Sequence, residues 1–154
     1  MLYWNIGKKI HDEILKGERA TYGKQVVKGL SKRLIEKYGG NSFQEKNLRR
    51  IVQFTTIFED IQIVVTLSRQ LSYSHFVALI TIKNELAREF YAQMCRIERW
   101  NVRTLRKKIK SMLFERTAIS QKPEALAKLE LQALKEEDKL TPDLVFRNPY
   151  ILDF

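Results

Sequence analysis

The sequence is poor in the residues that form disulfide frameworks, metal sites and long loops. Its 154 residues include one cysteine, Cys95, three prolines and six glycines. A lone cysteine excludes a disulfide framework and a cysteine-based zinc site, and it is typical of proteins from the reducing cytosol. We therefore expect a cytoplasmic protein with few irregular segments.

Long apolar runs are also missing. No segment approaches the ~18 apolar residues that span a bilayer, and charges interrupt the N-terminal stretch MLYWNIGKKIHDEI too early for a secretory signal peptide. A transmembrane segment in this sequence is thus excluded. Apolar residues still make up 44% of the chain, which is enough for a core and excludes wholesale disorder.

Catalytic signatures are equally sparse. There is no phosphate-binding loop of the G-x-x-x-x-G-K-[ST] type, and the two histidines, His11 and His75, lie on separate predicted helices. A metal-dependent nuclease needs acidic residues that converge in a pocket, whereas Asp143 and its acidic neighbours lie in a polar stretch without paired strands. We predict no catalytic residue, no metal ligand and no cofactor in this chain.

Positive charge, in contrast, is abundant. The chain has 28 Lys and Arg against 18 Asp and Glu, which gives a formal net charge of +10. Such an excess indicates a polyanionic partner, most often nucleic acid and less often an anionic membrane surface. The charge is uneven, because residues 96–116 hold eight basic and two acidic side chains, whereas residues 123–143 hold three basic and six acidic ones.

The hydrophobic pattern has a helical period almost throughout, which predicts an all-α, multi-helix fold. Residues 24–38, a glycine-containing turn at 39–42 and residues 43–58 are predicted to form a helix-turn-helix. Ser42 and Glu45 have capping-box spacing, so Ser42 is the predicted N-cap of the second helix.

Other boundaries follow from local signals. Residues 61–67 are rich in β-branched side chains and suit either a strand or a helix; their helical neighbours favour a helix. Gly17 is the predicted end of the first helix, with a polar turn at 18–23, and residues 143–154 are expected to form a boundary strand or linker. The residues predicted to start the later helices are Ser72, Asn84, Asn101 and Pro123.

The helix at 43–58 has an apolar side and a basic side. In a helix-turn-helix this helix enters the major groove, where Arg pairs with guanine and Asn or Gln pairs with adenine. We assign Lys46 and the helix start at Ser42 to phosphate binding. The predicted base-reading residues are Asn47, Arg49, Arg50 and Gln53. A merely solvated face explains the pattern equally well.

A second basic stripe runs from Arg96 to Lys110, with only Glu98 opposing it. The side chains that its last helix is predicted to bury are Val102, Leu105, Ile109, Met112 and Leu113. The predicted phosphate contacts on the other side are Arg103, Arg106, Lys107 and Lys110. Such contacts position a protein on DNA without reading its sequence, and the alternative is again a solvated face.

Seven sequence blocks follow one another in a specific order. They are LYWNIG at 2–7, Tyr22-Gly23, NLRRIVQF at 47–54, LSYSHF at 71–76, AREFY at 87–91, WNVRTLRKKI at 100–109 and NPYILDF at 148–154. Together they resemble the N-terminal domain of YhcG-type bacterial proteins. In that family the domain precedes a PD-(D/E)XK nuclease domain, and NPYILDF is similar to the junction where that nuclease begins. The resemblance implies a targeting module without its catalytic half.

Three of these regions are also similar to another family. NSFQEKNLRRIV at 41–52, LSYSHFVALITIKN at 71–84 and WNVRTLRKKI at 100–109 resemble the helix-turn-helix region of ParB-type partition proteins. This resemblance implies DNA binding and places the recognition helix at residues 44–54.

We therefore predict a helical, helix-turn-helix-containing domain at 1–120, and a helix and linker at 121–154 that lead to an absent nuclease domain. The predicted partners are duplex DNA, a fused C-terminal nuclease domain and, in a homodimer, a second copy of the chain. An alternative of another class is a protein-interaction or dimerisation module of the same nuclease family. A third is a free-standing nuclease that depends on Mg²⁺ or Mn²⁺ and on Asp143.

Overall fold

The computed structural model describes the backbone of residues 2–15 and 20–137, and the side chains of residues 2–12 and 23–136. Every regular element in these residues is helical, which confirms the all-α fold class. The α-helices are α1 (Leu2–Lys9), α2 (Ala20–Tyr38), α3 (Glu45–Ile57), α4 (Ile61–Leu67), α5 (Tyr73–Leu79), α6 (Glu85–Glu98), α7 (Val102–Lys110) and α8 (Glu124–Glu137). A π-helical segment, Ile10–Leu15, follows α1, and two 3-10 turns, Phe114–Arg116 and Ala118–Gln121, follow α7. None of these described helices is both long and apolar enough to cross a bilayer.

The chain divides into two compact units, residues 1–68 and residues 69–154. The first unit contains α1 to α4, and the second contains α5 to α8. Each has a core of its own, because Leu48 of the first unit and Phe90 and Leu105 of the second are all fully buried.

The first unit is organised by the contact between α1 and α3. Trp4 of α1 is buried, and its indole Nε1 donates to the carbonyl oxygen of Phe58 at 2.6 Å. Gly7 allows the close approach of the two helices. A Cβ added to Gly7 would lie 2.2 Å from Thr55 Oγ1 and 2.4 Å from the carbonyl oxygen of Ile51. One side of α3 is thus covered by α1.

The connection from α2 to α3 is a tight turn. Gly39 has a φ of 69°, the left-handed conformation that glycine adopts without strain, and its N–H donates to the carbonyl oxygen of Ile35 at 2.8 Å. Ser31 of α2 donates to the carbonyl oxygen of Phe43 at 2.7 Å, which holds the turn against the helix. The predicted order of helix, turn and helix is present here, and its helix-turn-helix geometry stays a prediction.

The predicted N-cap at Ser42 is wrong. The helix begins at Glu45, and its N-cap is Gln44, whose carbonyl oxygen accepts from the N–H of Leu48 at 3.0 Å. The residues before it form a turn, in which the N–H of Gln44 donates to the carbonyl oxygen of Asn41 at 3.3 Å. Because Ser42 is part of this turn, its side chain is exposed and does not cap α3.

Most of the other predicted boundaries are confirmed. The segment 61–67 is helical, as α4. The side chains of Asn84 and Asn101 cap α6 and α7, and Ser72 is the N-cap of α5. The first-turn prediction for Pro123 is displaced by one residue, because α8 begins at Glu124.

Two boundary predictions have a different outcome. The predicted polar turn at 18–23 is wrong at its C-terminal end, because α2 begins at Ala20 and accommodates Gly23 in its interior. The predictions for Gly17 and for residues 143–154 lie outside the described residues.

The second unit has α6 at its centre, in contact with α5, α7 and α8. His75, buried in the first turn of α5, connects two of its elements. Its Nδ1 accepts from the N–H of Ser72 at 3.0 Å, and its Nε2 lies 2.7 Å from the carbonyl oxygen of Trp100. Since Nδ1 is an acceptor, the ring proton lies on Nε2 and is donated to Trp100. His75 therefore has a structural role, because it joins the start of α5 to the turn before α7.

Arg96 does not belong to the basic stripe in which the sequence placed it. Its Nε donates to Oε1 of Gln93 at 2.8 Å. Its Nη2 lies 3.4 Å from the carbonyl oxygen of Leu134 and 3.5 Å from that of Lys135, near the end of α8. An arginine in this position stabilises the C-terminal carbonyl groups of a helix. Arg96 therefore serves the packing of α8 on α6.

Candidate nucleic-acid interface

The start of α7 is fixed by a short and well-bonded turn. Arg99, Trp100 and Asn101 connect α6 to α7, and Arg99 has a left-handed φ of 53°. Asn101 caps α7, because its Oδ1 accepts from the N–H of Thr104 at 2.8 Å. The hydrogen bond from His75 holds the carbonyl group of Trp100 in the same turn. These hydrogen bonds fix the start of α7 within the second unit.

The exposed side of α7 is densely basic. The helix has five Lys and Arg residues and no acidic one, and Leu105, which is fully buried, anchors its other side. Lys108 is half-buried, with its Nζ 5.6 Å from the centroid of the Trp100 ring. Four side chains are exposed, and no described residue holds any of them in an ion pair or a hydrogen bond: Arg103, Arg106, Lys107 and Lys110.

These four cations repel one another. Arg103 and Lys107 are four residues apart, as are Arg106 and Lys110, and like charges at this spacing destabilise a helix by about 0.2–0.5 kcal/mol per pair. A polyanion would remove this repulsion and would release its own counterions on binding. The arrangement is therefore suited to contact with phosphate groups.

Met112 lies outside the core, and the prediction that α7 buries it is wrong. The helix ends at Lys110, and Met112 is 56% exposed with a left-handed φ of 57°. Its N–H donates to the carbonyl oxygen of Ile109 at 3.0 Å, and the N–H of Leu113 donates to that of Lys108 at 3.2 Å. This is the Schellman pattern, which turns the chain at the end of a helix. The turn brings Leu113 into the core in place of Met112.

The basic side of α3 is partly engaged within the molecule. Arg49 forms an ion pair with Glu45, one helical turn earlier. Asn47 is half-exposed, and its Nδ2 donates to the carbonyl oxygen of Asn41 at 2.9 Å, which stabilises the turn before the helix. Asn47 and Arg49, which are predicted base-reading residues, thus have partners within the molecule.

The remaining predicted residues of the first unit lie at the surface. Lys46 and Gln53 are exposed, and Arg50 is half-exposed. No described residue holds Lys46 or Arg50 in an ion pair or a hydrogen bond. The structure thus presents the predicted contacts as two groups, one on α3 and its preceding turn in the first unit and one on α7 in the second.

Comparison with known proteins gives a clear result for most of the chain. Residues 1–116 match the family described as the DUF1016 N-terminal domain. The chain belongs to this family. It is also 30% identical over 182 residues to a protein of Escherichia coli (strain K12) named "Putative nuclease YhcG". That match covers 99% of this chain and 48% of the relative, so the chain spans about half the length of the curated relative that it matches. No solved structure matches the chain.

Membership of the DUF1016 N-terminal domain family confirms the resemblance to YhcG-type proteins. The matched range contains α3 and α7 and therefore all ten predicted DNA contacts, from Ser42 to Lys110. The resemblance to ParB-type proteins, and the recognition helix derived from it, stays a prediction.

Sequence reasoning overlooked Arg99. This DUF1016 chain places it in the left-handed region between α6 and α7, with its side chain exposed. The signal was the short polar connection between two helical patterns, since such a connection often needs a left-handed residue. Because no glycine is present in this connection, the sequence does not indicate which of its residues is left-handed.

Other chemically active side chains of the described residues have structural surroundings. Cys95 of α6 is buried, and burial raises the pKa of its thiol to about 12. Cys95 is therefore a residue of the core. No group of three His, Cys, Asp or Glu side chains among the described residues is arranged to hold a metal ion.

An open pocket lies between the starts of α6 and α8, lined by Lys83, Asn84, Glu85, Leu86, Lys122, Glu124 and Lys128. Two of its three lysines have acidic partners. Lys122 is paired with Glu130, and Lys128 Nζ lies 2.8 Å from Glu124 Oε1. The hydrogen bond and charge of Lys128 lower the pKa of the Glu124 carboxyl. These ion pairs leave the pocket without the excess positive charge that distinguishes α7.

Proposed function

We propose that this chain is a DNA-binding domain that directs a nuclease to its substrate, with α7 as the main contact to the phosphate backbone. The observation that carries the proposal is the set of four exposed cations on α7, none of them held by a described residue. A capped start and a buried Leu105 present them on a fixed helix. Charge of this density is the usual source of non-specific affinity for nucleic acid.

The link to a nuclease comes from the relative in Escherichia coli, which carries that activity in its name. More than half of that relative lies outside the match. We assign catalysis to the part outside the match and DNA binding to the part that this chain represents. The motif NPYILDF at 148–154, which resembles the junction where the nuclease domain begins in YhcG-type proteins, supports the same division.

The helix α3 is the proposed base-reading element. Its 13 residues are enough to lie in a major groove, and the predicted contacts nearest its middle are Arg49, Arg50 and Gln53. Arg49 would exchange Glu45 for a guanine on binding. Arg49→Ala and Arg50→Ala are expected to weaken discrimination between duplex sequences by about 1–3 kcal/mol for each lost guanine contact.

A salt series tests the phosphate contacts on α7. The affinity for a fluorescein-labelled, mixed-sequence duplex would be followed by anisotropy over a range of salt concentrations. We expect affinity to fall steeply with salt, and the slope of log affinity against log salt to drop by about one for each lost phosphate contact in Lys107→Gln and Lys110→Gln.

The matched control is Lys128→Gln on α8, which removes the same charge from an exposed side chain of the same unit. It is expected to leave the slope unchanged. Binding that is insensitive to salt, or equal losses in the control and the α7 variants, would refute the proposal. Competition with single-stranded DNA and with duplex RNA identifies the preferred nucleic acid.

A nuclease assay addresses catalysis separately. With Mg²⁺ or Mn²⁺ present, we expect the chain alone to leave duplex DNA intact. Cleavage that is abolished by Asp143→Ala would instead support a free-standing nuclease.

A second candidate function is protein interaction, and one observation favours it. Two leucines of α8 are exposed, Leu126 by 50% and Leu129 by 67%. One helical turn apart, they form a small apolar strip that another protein surface could cover. If the chain is a dimerisation module, light scattering will show a dimer that Leu126→Gln with Leu129→Gln dissociates and that DNA does not affect.

A further inference from the structure

The residue that ends α7 is unusual for its position. A helix that ends in a Schellman turn usually has glycine at the left-handed position. After α2 the left-handed position is occupied by a glycine, Gly39, with a φ of 69°. After α7 the same position is occupied by Met112, with a φ of 57° and a side chain that is 56% exposed. A backbone conformation that strains methionine is thus combined with an apolar side chain in water.

The surrounding structure holds Met112 in this conformation. Its carbonyl oxygen accepts from the N–H of Arg116 at 3.2 Å, and its neighbour Leu113 is buried. The N–H of Phe114, which is also buried, donates to the hydroxyl oxygen of Tyr91 at 3.0 Å. Strained residues persist where the structure around them is this firmly bonded, and they concentrate at functional sites.

The charge on α7 indicates what the exposed methionine contacts. Lys107 and Lys110 precede Met112 by five residues and by two, and both are exposed. A surface that attracts phosphate groups brings the sugars and bases between them close to its apolar atoms. Proteins that bind DNA use methionine, among other apolar side chains, as a wedge against base steps.

We propose that Met112 makes an apolar contact with the sugars or bases of the nucleic acid that α7 binds through its cations. The inference rests on the proposed function, and it adds a contact that charge does not supply. An apolar contact releases no counterions, so its loss lowers affinity at every salt concentration without changing the salt slope.

The variant Met112→Gly separates stability from binding. Glycine adopts the left-handed conformation without strain, so the thermal midpoint of the full chain is expected to rise. Affinity for the labelled mixed-sequence duplex is expected to fall about tenfold, because glycine removes the apolar side chain that the complex would bury. Met112→Leu keeps an apolar side chain and is expected to retain most of the affinity.

The control is Leu2→Ala, which shortens an exposed apolar side chain of α1 and is expected to bind as the wild type does. Unchanged affinity of Met112→Gly overturns the inference. A reduced salt slope in that variant also overturns it, because Met112 would then act by positioning the cations. Binding by the wild-type chain is measured before any variant is compared. If the wild-type chain binds no nucleic acid, the proposed function itself fails.

Discussion

The helices α3 and α7 both bury an apolar side and present a basic one, yet the two basic sides differ. On α3, Arg49 is paired with Glu45, and Asn47 binds the turn before the helix. On α7 there is no acidic residue, and the four exposed cations have no partner among the described residues. The difference shows that an acidic residue one turn away can occupy a basic side chain that would otherwise be available to a ligand.

The two helices also differ in how they are held. One side of α3 is closed by α1, which approaches through Gly7. The position of α7 is fixed at its ends, by the cap at Asn101 and by the turn at Met112. The position of α3 thus depends on packing along its length, whereas that of α7 depends on the contacts at its ends.

The largest expected effect is on the rate at which a thiol reagent labels Cys95. This residue lies in the unit that carries α7, so its labelling reports only on that unit. Burial raises the pKa of this thiol from 9.0 to about 12, so the folded protein at pH 8 has about a thousandfold less thiolate than a free thiol. Labelling with a thiol reagent should be slow when the protein is folded and fast in denaturant. Fast labelling of the folded protein would mean that the scaffold of α7 is open, and the comparison with α3 would then fail.

The raised pKa of the Cys95 thiol also makes the stability of the fold depend on pH. A thiol whose folded-state pKa is raised contributes stability that is complete below its unfolded pKa. That stability is lost as the pH rises from 9.0 toward about 12. Replacing Cys95 by Ala should remove this part of the alkaline destabilisation.

The next largest effect is expected on the free energy of unfolding when either of two core leucines is replaced. Leu48 of α3 and Leu105 of α7 are both fully buried, and replacing either with Ala should cost about 2–5 kcal/mol of unfolding free energy. Chemical denaturation measures this cost. Under folding conditions, Leu105→Ala should weaken DNA binding more than Leu48→Ala does. The reverse order would make α3 the principal contact.

A smaller effect is expected for Gly7→Ala. The added Cβ would clash with the backbone of α3 at Ile51, and overpacking of this kind costs about 1–3 kcal/mol. Trp4 lies in the first unit and Trp100 in the second, so single-tryptophan versions of the chain report on each unit. We expect the Trp4 signal to shift to milder denaturant while the Trp100 signal stays, and a shift of both would contradict independent cores.

The smallest effect is expected for Glu45→Gln, which makes α3 resemble α7. Loss of an exposed ion pair should change stability by less than about 0.5 kcal/mol, as measured by thermal unfolding. The released Arg49 should strengthen duplex binding about twofold and steepen its salt dependence. Unchanged binding would show that Arg49 does not face the DNA.

Local sequence signals predicted much of this fold, because helix period and capping act over a few residues. The starts of α6 at Asn84 and of α7 at Asn101 were predicted in this way, as was the burial of Leu105. The start of α3 was not, because both Ser42 and Gln44 are able to precede a helix. The turn closed by Asn41 decided between them.

By itself, the sequence determined that the chain is helical, basic and a member of the DUF1016 N-terminal domain family. Only the tertiary structure decided which charges stay available to a partner. Arg96 is drawn to the end of α8 by carbonyl groups that are distant in sequence, and Met112 is turned outward because Leu113 enters the core. Both outcomes depend on which surfaces meet when the helices pack, and helix period and charge counts do not contain that information.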